Sequence, residues 1–289
     1  MATAIDLAGR DVFEAVQGKV YVVHGQGTLY LTELNSDVKS VKGKPVKIWQ
    51  GGFKNAHELG GGFGMEGSHM YRINGKYYIT CPAGGTGGWQ ICLRSDNIYG
   101  PYEHKLIMND WSSYPENGLH QGGMVQLKNG DWWFMIMQDR GPIGRVPCLV
   151  PVKWIDGWPM LGDEGKDLIT YPKPATGKKS KIKSPATTDE FNASQLGLQW
   201  QWNHNPDNSR WSLKERKGYM RLYASQASTL KDARNTLTQR VQGPSCEGSV
   251  EMEVTGLKDG NIAGFGIFEF PYAYVAIRQI GRASCRERV

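Results

Sequence analysis

A turn glycine feeding an aromatic and β-branched run recurs three times in the first half of the chain. That recurrence restricts the fold more than any other feature. The runs are Gly18-Lys19-Val20-Tyr21-Val22-Val23, Gly75-Lys76-Tyr77-Tyr78-Ile79-Thr80 and Gly130-Asp131-Trp132-Trp133-Phe134-Met135, and their glycines stand 57 and 55 residues apart. Polar turns such as Ile73-Asn74-Gly75 and Lys128-Asn129-Gly130 lead into them. A turn glycine opening such a run is a hairpin signature. A hairpin that returns at this interval is expected of propeller blades, each a small antiparallel sheet that needs neighbours to cover its faces. Thr28–Leu34 and Trp89–Ser95 supply the strands that follow the first two hairpins. Helical periodicity is almost missing; Leu230–Leu237 is the one stretch expected to form a short helical turn.

The 37 glycines, 10 tryptophans and 13 tyrosines of this 289-residue chain suit short strands joined by tight turns. Most of the rings are expected in the core, where aromatics dominate burial, and the remainder suit stacking on sugar rings. The net charge of +6 does not point to nucleic acid. Lys173, Lys178, Lys179, Lys181 and Lys183 crowd into one Pro/Ser/Lys stretch, and a charge run of that kind is a solvated linker. No apolar run approaches the roughly 18 residues of a membrane span. Cys81, Cys92, Cys148, Cys246 and Cys285 show neither a CxxC pair nor zinc spacing. Cys81 and Cys92 could pair across a hairpin. Gly60-Gly61-Gly62 lacks the Lys-Ser/Thr of a phosphate loop and is expected to be a flexible loop. Local signatures of Ser/His/Asp or Cys/His catalysis and HExxH are absent.

Prolines and lysines from Tyr171 to Thr188 mark a linker. We therefore expect a propeller domain over 1–171, a linker over 172–188 and a β-sandwich over 189–279. Trp200–Trp202, Tyr219–Tyr223, Ser249–Val254 and Tyr272–Ala276 alternate with turns at sandwich spacing. Residues 280–289 break this pattern. The run Ile280-Gly281-Arg282-Ala283-Ser284-Cys285-Arg286-Glu287-Arg288-Val289 is what one frame of a common sequencing-adapter oligonucleotide would encode, so it is read as a non-native tail, with a natural basic tail as the alternative.

Three places could carry chemistry. In Met65-Glu66-Gly67-Ser68-His69, a carboxyl group lies just before a strand. On a propeller, inner-strand starts face the axis, and burial or a neighbouring carboxylate there favours the protonated acid. A surface glutamate is the bland alternative. Leu119-His120-Gln121-Gly122-Gly123 opens the third blade's inner strand, so His120 points the same way. Its imidazole could ligate an ion, or hydrogen-bond a sugar hydroxyl or Glu66; a structural histidine is the alternative. Arg145 follows the turn Gly141-Pro142-Ile143-Gly144 and could fork two hydrogen bonds to sugar hydroxyls or hold a carboxylate, against the alternative of a surface ion pair.

Taken in order, Gly18-Lys19-Val20-Tyr21, Glu66-Gly67-Ser68-His69, Arg94-Ser95 with Gly100-Pro101-Tyr102-Glu103, His120-Gln121-Gly122-Gly123, Gly144-Arg145 and the Pro151–Pro159 stretch resemble glycoside hydrolase family 43. This is the β-xylosidase and α-L-arabinofuranosidase group. Asp189-Glu190-Phe191, the Leu198–Pro206 stretch and Trp211-Ser212-Leu213 resemble the concanavalin A-like, jelly-roll β-sandwich appended to such enzymes. The resemblance implies an all-β chain: an incomplete five-bladed β-propeller followed by a partial β-sandwich. It also implies an inverting hydrolase of xylose- or arabinose-containing plant polysaccharides and oligosaccharides. Family members use a base Asp, a pKa-tuning Asp and an acid Glu on successive blades. Glu66 matches the acid, Arg145 matches a sugar-binding arginine, and His120 matches a histidine near the axis, close to where an ion can be bound. The tuning Asp falls at Gly9, bracketed by Asp6 and Asp11, which stand as candidates. One blade's worth of sequence precedes Glu66, so the chain is expected to be a fragment lacking the base, and to be inactive as written. No cofactor is required, although a structural calcium near the propeller axis is allowed for, and neither nucleic acid nor membrane is an expected partner. The parent is expected to be secreted or periplasmic. The alternative reading is a non-catalytic, carbohydrate-binding propeller plus sandwich.

Overall fold

The computed structural model describes residues 11–16, 18–50, 65–109, 117–166, 170–175, 181, 183–243, 245–268, 271–281 and 283–288. The chain divides into two compact units, Met1–Lys178 and Lys179–Val289.

Among its described residues the first unit holds three four-stranded antiparallel sheets, each a meander. The first contains β1 (Asp11–Val16), β2 (Lys19–Gln26), β3 (Thr28–Leu34) and β4 (Val46–Gln50). The second contains β5 (His69–Ile73), β6 (Lys76–Ala83), β7 (Trp89–Ser95) and β8 (Glu103–Met108). The third contains β9 (His120–Gln126), β10 (Trp132–Asp139), β11 (Arg145–Ile155) and β12 (Trp158–Leu161). The repeated glycine run is thus the second strand of every sheet. Local chemistry sets the turns. Ile73 pairs with Lys76 around Asn74 (φ 51°) and Gly75 (φ 84°), and Ile155 pairs with Trp158 around Asp156 (φ 51°) and Gly157 (φ 74°). Two successive left-handed residues are what a type I′ hairpin requires, and Asn-Gly or Asp-Gly supplies them at least steric cost.

The middle sheet shows why a continuous apolar run appears where half-buried strands would alternate. Tyr77, Ile79 and Cys81 of β6, with Trp89, Ile91 and Leu93 of β7, pack with Tyr21, Val23, Leu29, Leu31 and Ile48 of the first sheet. Tyr78 and Cys92 face the other way, into a layer with Met124, Phe134, Ile136, Val150, Val152 and Trp158 of the third sheet. Both faces of the middle sheet are therefore covered, and successive residues enter different cores. The same parity rules out the Cys81–Cys92 pairing. Cys81 is paired with Ile91 and Cys92 with Thr80, one residue out of register, so the thiols lie in opposite layers and both are free. Burial pushes both thiols above their ordinary pKa.

Polar clamps also join the second and third sheets. Arg94 of β7 donates from Nε to Glu103 Oε1 (2.8 Å) and from a terminal nitrogen to Asp156 O (2.9 Å), and its guanidinium lies 4.1 Å from the Trp158 ring centroid. Tyr78 Oη donates to Gly157 O at 3.0 Å.

The second unit is built of smaller sheets: β13 (Trp200–Trp202) with β16 (Leu237–Gln239), β14 (Trp211–Ser212) with β15 (Arg221–Leu222), and β17 (Ile262–Ile267), β18 (Ala273–Ile280) and β19 (Ala283–Arg288). Asp189 gathers its start: Trp200 Nε1 donates to Oδ2 at 2.8 Å, Phe191 N donates to Oδ1 at 2.7 Å, and the Phe191 and Trp200 rings stack. The helical turn expected at Leu230–Leu237 is a 3₁₀ turn, Leu230–Asp232, with the Thr229 side chain capping Asp232 N. Two strand expectations change. Tyr219–Tyr223 is reduced to the two residues of β15, and Ser249–Val254 forms no strand. Val250 and Met252 stay exposed, so the alternating pattern has no covering surface to turn it into a half-buried strand. Residues 283–288 add a strand along β18, where edge hydrogen bonding is open to any extended segment.

Candidate active site

Glu66 lies where the three sheets of the first unit meet. Gly27, in the β2–β3 turn, donates its N–H to Met65 O at 2.9 Å, which fastens the segment to the first sheet. On the other side of Glu66, Gly67 (φ 53°) abuts the third sheet: a Cβ placed there would stand 3.1 Å from Gln121 Nε2. Two residues further on, β5 of the second sheet begins. Met65 and Ser68 turn inward and are buried, whereas the Glu66 side chain is exposed. The burial expected for this carboxyl is therefore not found, because its neighbours take the inward positions.

His120 is 4% exposed and held on several sides. Its Nδ1 donates to Gly118 O at 2.9 Å, which fixes that tautomer. Gly88 lies against the ring: a Cβ on Gly88 would fall 2.9 Å from His120 Cγ and 2.4 Å from Ala83 O, so any larger residue would displace the imidazole or the backbone. The strand carries a bulge next to it. Ile136 pairs with Gly122 but Met137 pairs with His120, leaving Gln121 unpaired at φ 58°. The Gln121 N–H donates instead to Oε1 of the fully buried Gln90 at 2.7 Å. A bulge re-aims a side chain at a strand end, and here the re-aimed residue is His120. Gly122 and Gly123 then allow close approach. A Cβ on Gly122 would meet Met135 O at 1.8 Å, and one on Gly123 would meet Tyr71 Oη at 2.8 Å. Met124 N donates to that same Tyr71 Oη at 2.8 Å.

Arg145 is the cross-strand partner of Asp139, across the β10–β11 turn. Its Nε is 3.6 Å from Asp139 Oδ1, while Asp139 Oδ2 is 3.6 Å from His120 Nε2. The structure thus brings His120 and Arg145 together through a carboxylate that the motif reading did not single out. The available signal was the position of Asp139 at the end of a strand, six residues before Arg145 across a glycine-rich turn. For Gln90 no sequence signal existed. Asp11 starts β1 opposite Val23, and β1 borders β5, the strand after Glu66. Asp6 lies outside the described residues, as does Gly60-Gly61-Gly62.

Among the described residues no group of three or more His, Cys, Asp or Glu side chains is placed to hold a metal. Calcium takes six to eight oxygen ligands; His120 and Asp139 alone do not provide that shell. Also among the described residues, no helix is long and apolar enough to cross a membrane.

Residues 6–159 match the family model described as glycosyl hydrolases family 43, and residues 188–286 match that of the beta xylosidase C-terminal concanavalin A-like domain. A putative beta-xylosidase of Xylanibacter ruminicola is 35% identical over 249 residues, covering 83% of this chain and 45% of the relative. A non-reducing end alpha-L-arabinofuranosidase of Bacteroides ovatus is 32% identical over 225 residues, covering 72% and 41%. The chain therefore spans about half the length of the curated relatives it matches. A solved structure described as a bifunctional GH43-CE of Bacteroides eggerthii is similar with a TM-score of 0.73 and 36% identity, covering 93% of this chain and 35% of that one.

Proposed function

The chain belongs to glycoside hydrolase family 43, and from that premise we propose that it carries the acid half of an inverting glycosidase acting on xylose- or arabinose-containing plant oligosaccharides and polysaccharides. The observation that carries the reading is the position of Glu66, fastened to the first sheet through Met65 and abutting the third through Gly67. A carboxyl group at the convergence of blades is where a bound sugar can be reached from several sheets at once. The names of the relatives, a xylosidase and an arabinofuranosidase, support a pentose substrate.

In this reading Glu66 protonates the leaving glycosidic oxygen. A water attacks the anomeric carbon from the opposite face, activated by a base about 6.5–9.5 Å from the acid. We place that base in polypeptide outside this chain. Asp11, on the strand beside β5, or Asp6 is the candidate for tuning the acid. His120 and Arg145 hold sugar hydroxyls: the arginine forks two donors, and the imidazole is fixed by Gly118 and Gly88.

The test begins with the nucleotide sequence on both sides of this reading frame and expression of the polypeptide it encodes. The expected product hydrolyses 4-nitrophenyl β-D-xyloside or α-L-arabinofuranoside, with inversion seen by NMR. Glu66→Gln lowers kcat by about 10²–10⁴-fold. If the flanks supply no Asp-bearing sheet and the product binds xylobiose without cleaving either glycoside, a non-catalytic carbohydrate-binding propeller replaces this reading.

A further inference from the structure

Asp139 closes the β10–β11 hairpin, and its main chain is fixed independently of its carboxylate. Asn117 Nδ2 donates to Asp139 O at 2.7 Å, and the preceding Gln138, fully buried, donates from Nε2 to Asn117 O at 2.9 Å. The neighbouring Arg140 donates from Nε to Gln138 Oε1 at 2.9 Å. The Asp139 carboxylate thus has His120 Nε2 on one oxygen and Arg145 Nε on the other, each at 3.6 Å. His120 is buried and immobilised on its other edge, whereas the Arg145 side chain is 67% exposed.

An exposed arginine is a long, rotamer-rich side chain that loses entropy when a ligand orders it. An anchor that restrains it beforehand removes part of that cost. Because the atom facing Asp139 is Nε, the two terminal nitrogens of the guanidinium stay available as a fork of donors. We propose that Asp139 is a positioning residue that holds Arg145 against the fixed edge of His120, so that the arginine's terminal nitrogens meet two neighbouring hydroxyls of the sugar. The proposal rests on the pentose-binding reading above for its ligand, but the tethering of Arg145 is measurable without any sugar.

The experiment uses the full chain with Asp139→Asn and Asp139→Glu variants. ¹⁵N relaxation of the Arg145 Nε–H reports its mobility, and calorimetric titration with xylobiose reports binding. The expected result is a restrained Nε–H in the parent chain, a mobile one in Asp139→Asn at unchanged Tm, and restraint regained in Asp139→Glu. Xylobiose affinity falls about tenfold in Asp139→Asn, and combining that variant with Arg145→Lys gives no additive loss. Equal Arg145 mobility in the parent and both variants overturns the proposal. If mobility responds but neither this chain nor the longer polypeptide encoded by the flanking nucleotide sequence binds xylobiose, the tether stands and it is the pentose reading that falls.

Discussion

At the scale of single residues, one step of register decides chemistry. Cys81 and Cys92 are close in sequence and on paired strands, yet they enter different cores, and burial disfavours both thiolates. Maleimide labelling of the native chain, mapped by mass spectrometry, is expected to modify the exposed Cys246 and to spare Cys81 and Cys92 until denaturant is added. Labelling of the two buried thiols at the rate of Cys246 would contradict the layer assignment. Gly88 is the second residue-scale case. Gly88→Ala forces a methyl group onto His120 and the Ala83 carbonyl, with an expected loss of about 1–3 kcal/mol in urea denaturation and weaker xylobiose binding than the parent. Glu66 and His120 were legible in the sequence because each stands just ahead of, or at the start of, a strand opened by small residues. Asp139 and Gln90 were not, because their partners His120 and Gln121 lie 19 and 31 residues away, and only the packing of strands shows who faces whom.

At the scale of elements, the hairpins follow from local chemistry and the joints between sheets do not. Asn74-Gly75 and Asp156-Gly157 specify their turns from two residues each. The joint made by Arg94 draws on β7, β8 and the β11–β12 turn, which are separated by up to 62 residues. Arg94→Ala removes the Glu103 and Asp156 contacts and the stacking on Trp158 together. The expected cost is about 2 kcal/mol in chemical denaturation, and Arg94→Lys is expected to recover only part of it, since lysine lacks the planar fork. No loss in either variant would mean that the apolar layer around Phe134 and Ile136 joins these sheets unaided. The Ser249–Val254 segment makes the same point from the other side. Its alternation is that of a strand, but alternation becomes a strand only where one face is covered, and here Val250 and Met252 face solvent.

At the scale of the whole molecule, the two units differ in how they bury apolar surface. In the first, two continuous cores separate three sheets, whereas among the described residues of the second only Leu213 and Ala276 are buried hydrophobics. The purified chain alone is expected to release no nitrophenol from aryl β-xyloside or aryl α-L-arabinofuranoside, because we assign the base to polypeptide outside it; turnover that disappears in Glu66→Gln would overturn that assignment. The sequence by itself determined the all-β class, the repeat that marks three blades, the hairpin turns and the family. These are local or ordered features: glycine where φ is positive, alternation at period two, motifs in fixed succession. Only the tertiary structure decided that Cys81 and Cys92 face apart, that Glu66 is exposed, and that Asp139 lies between His120 and Arg145. Each of those depends on which face of a strand meets which neighbour. That is a matter of register and bulges between strands distant in the chain, and no local pattern encodes it.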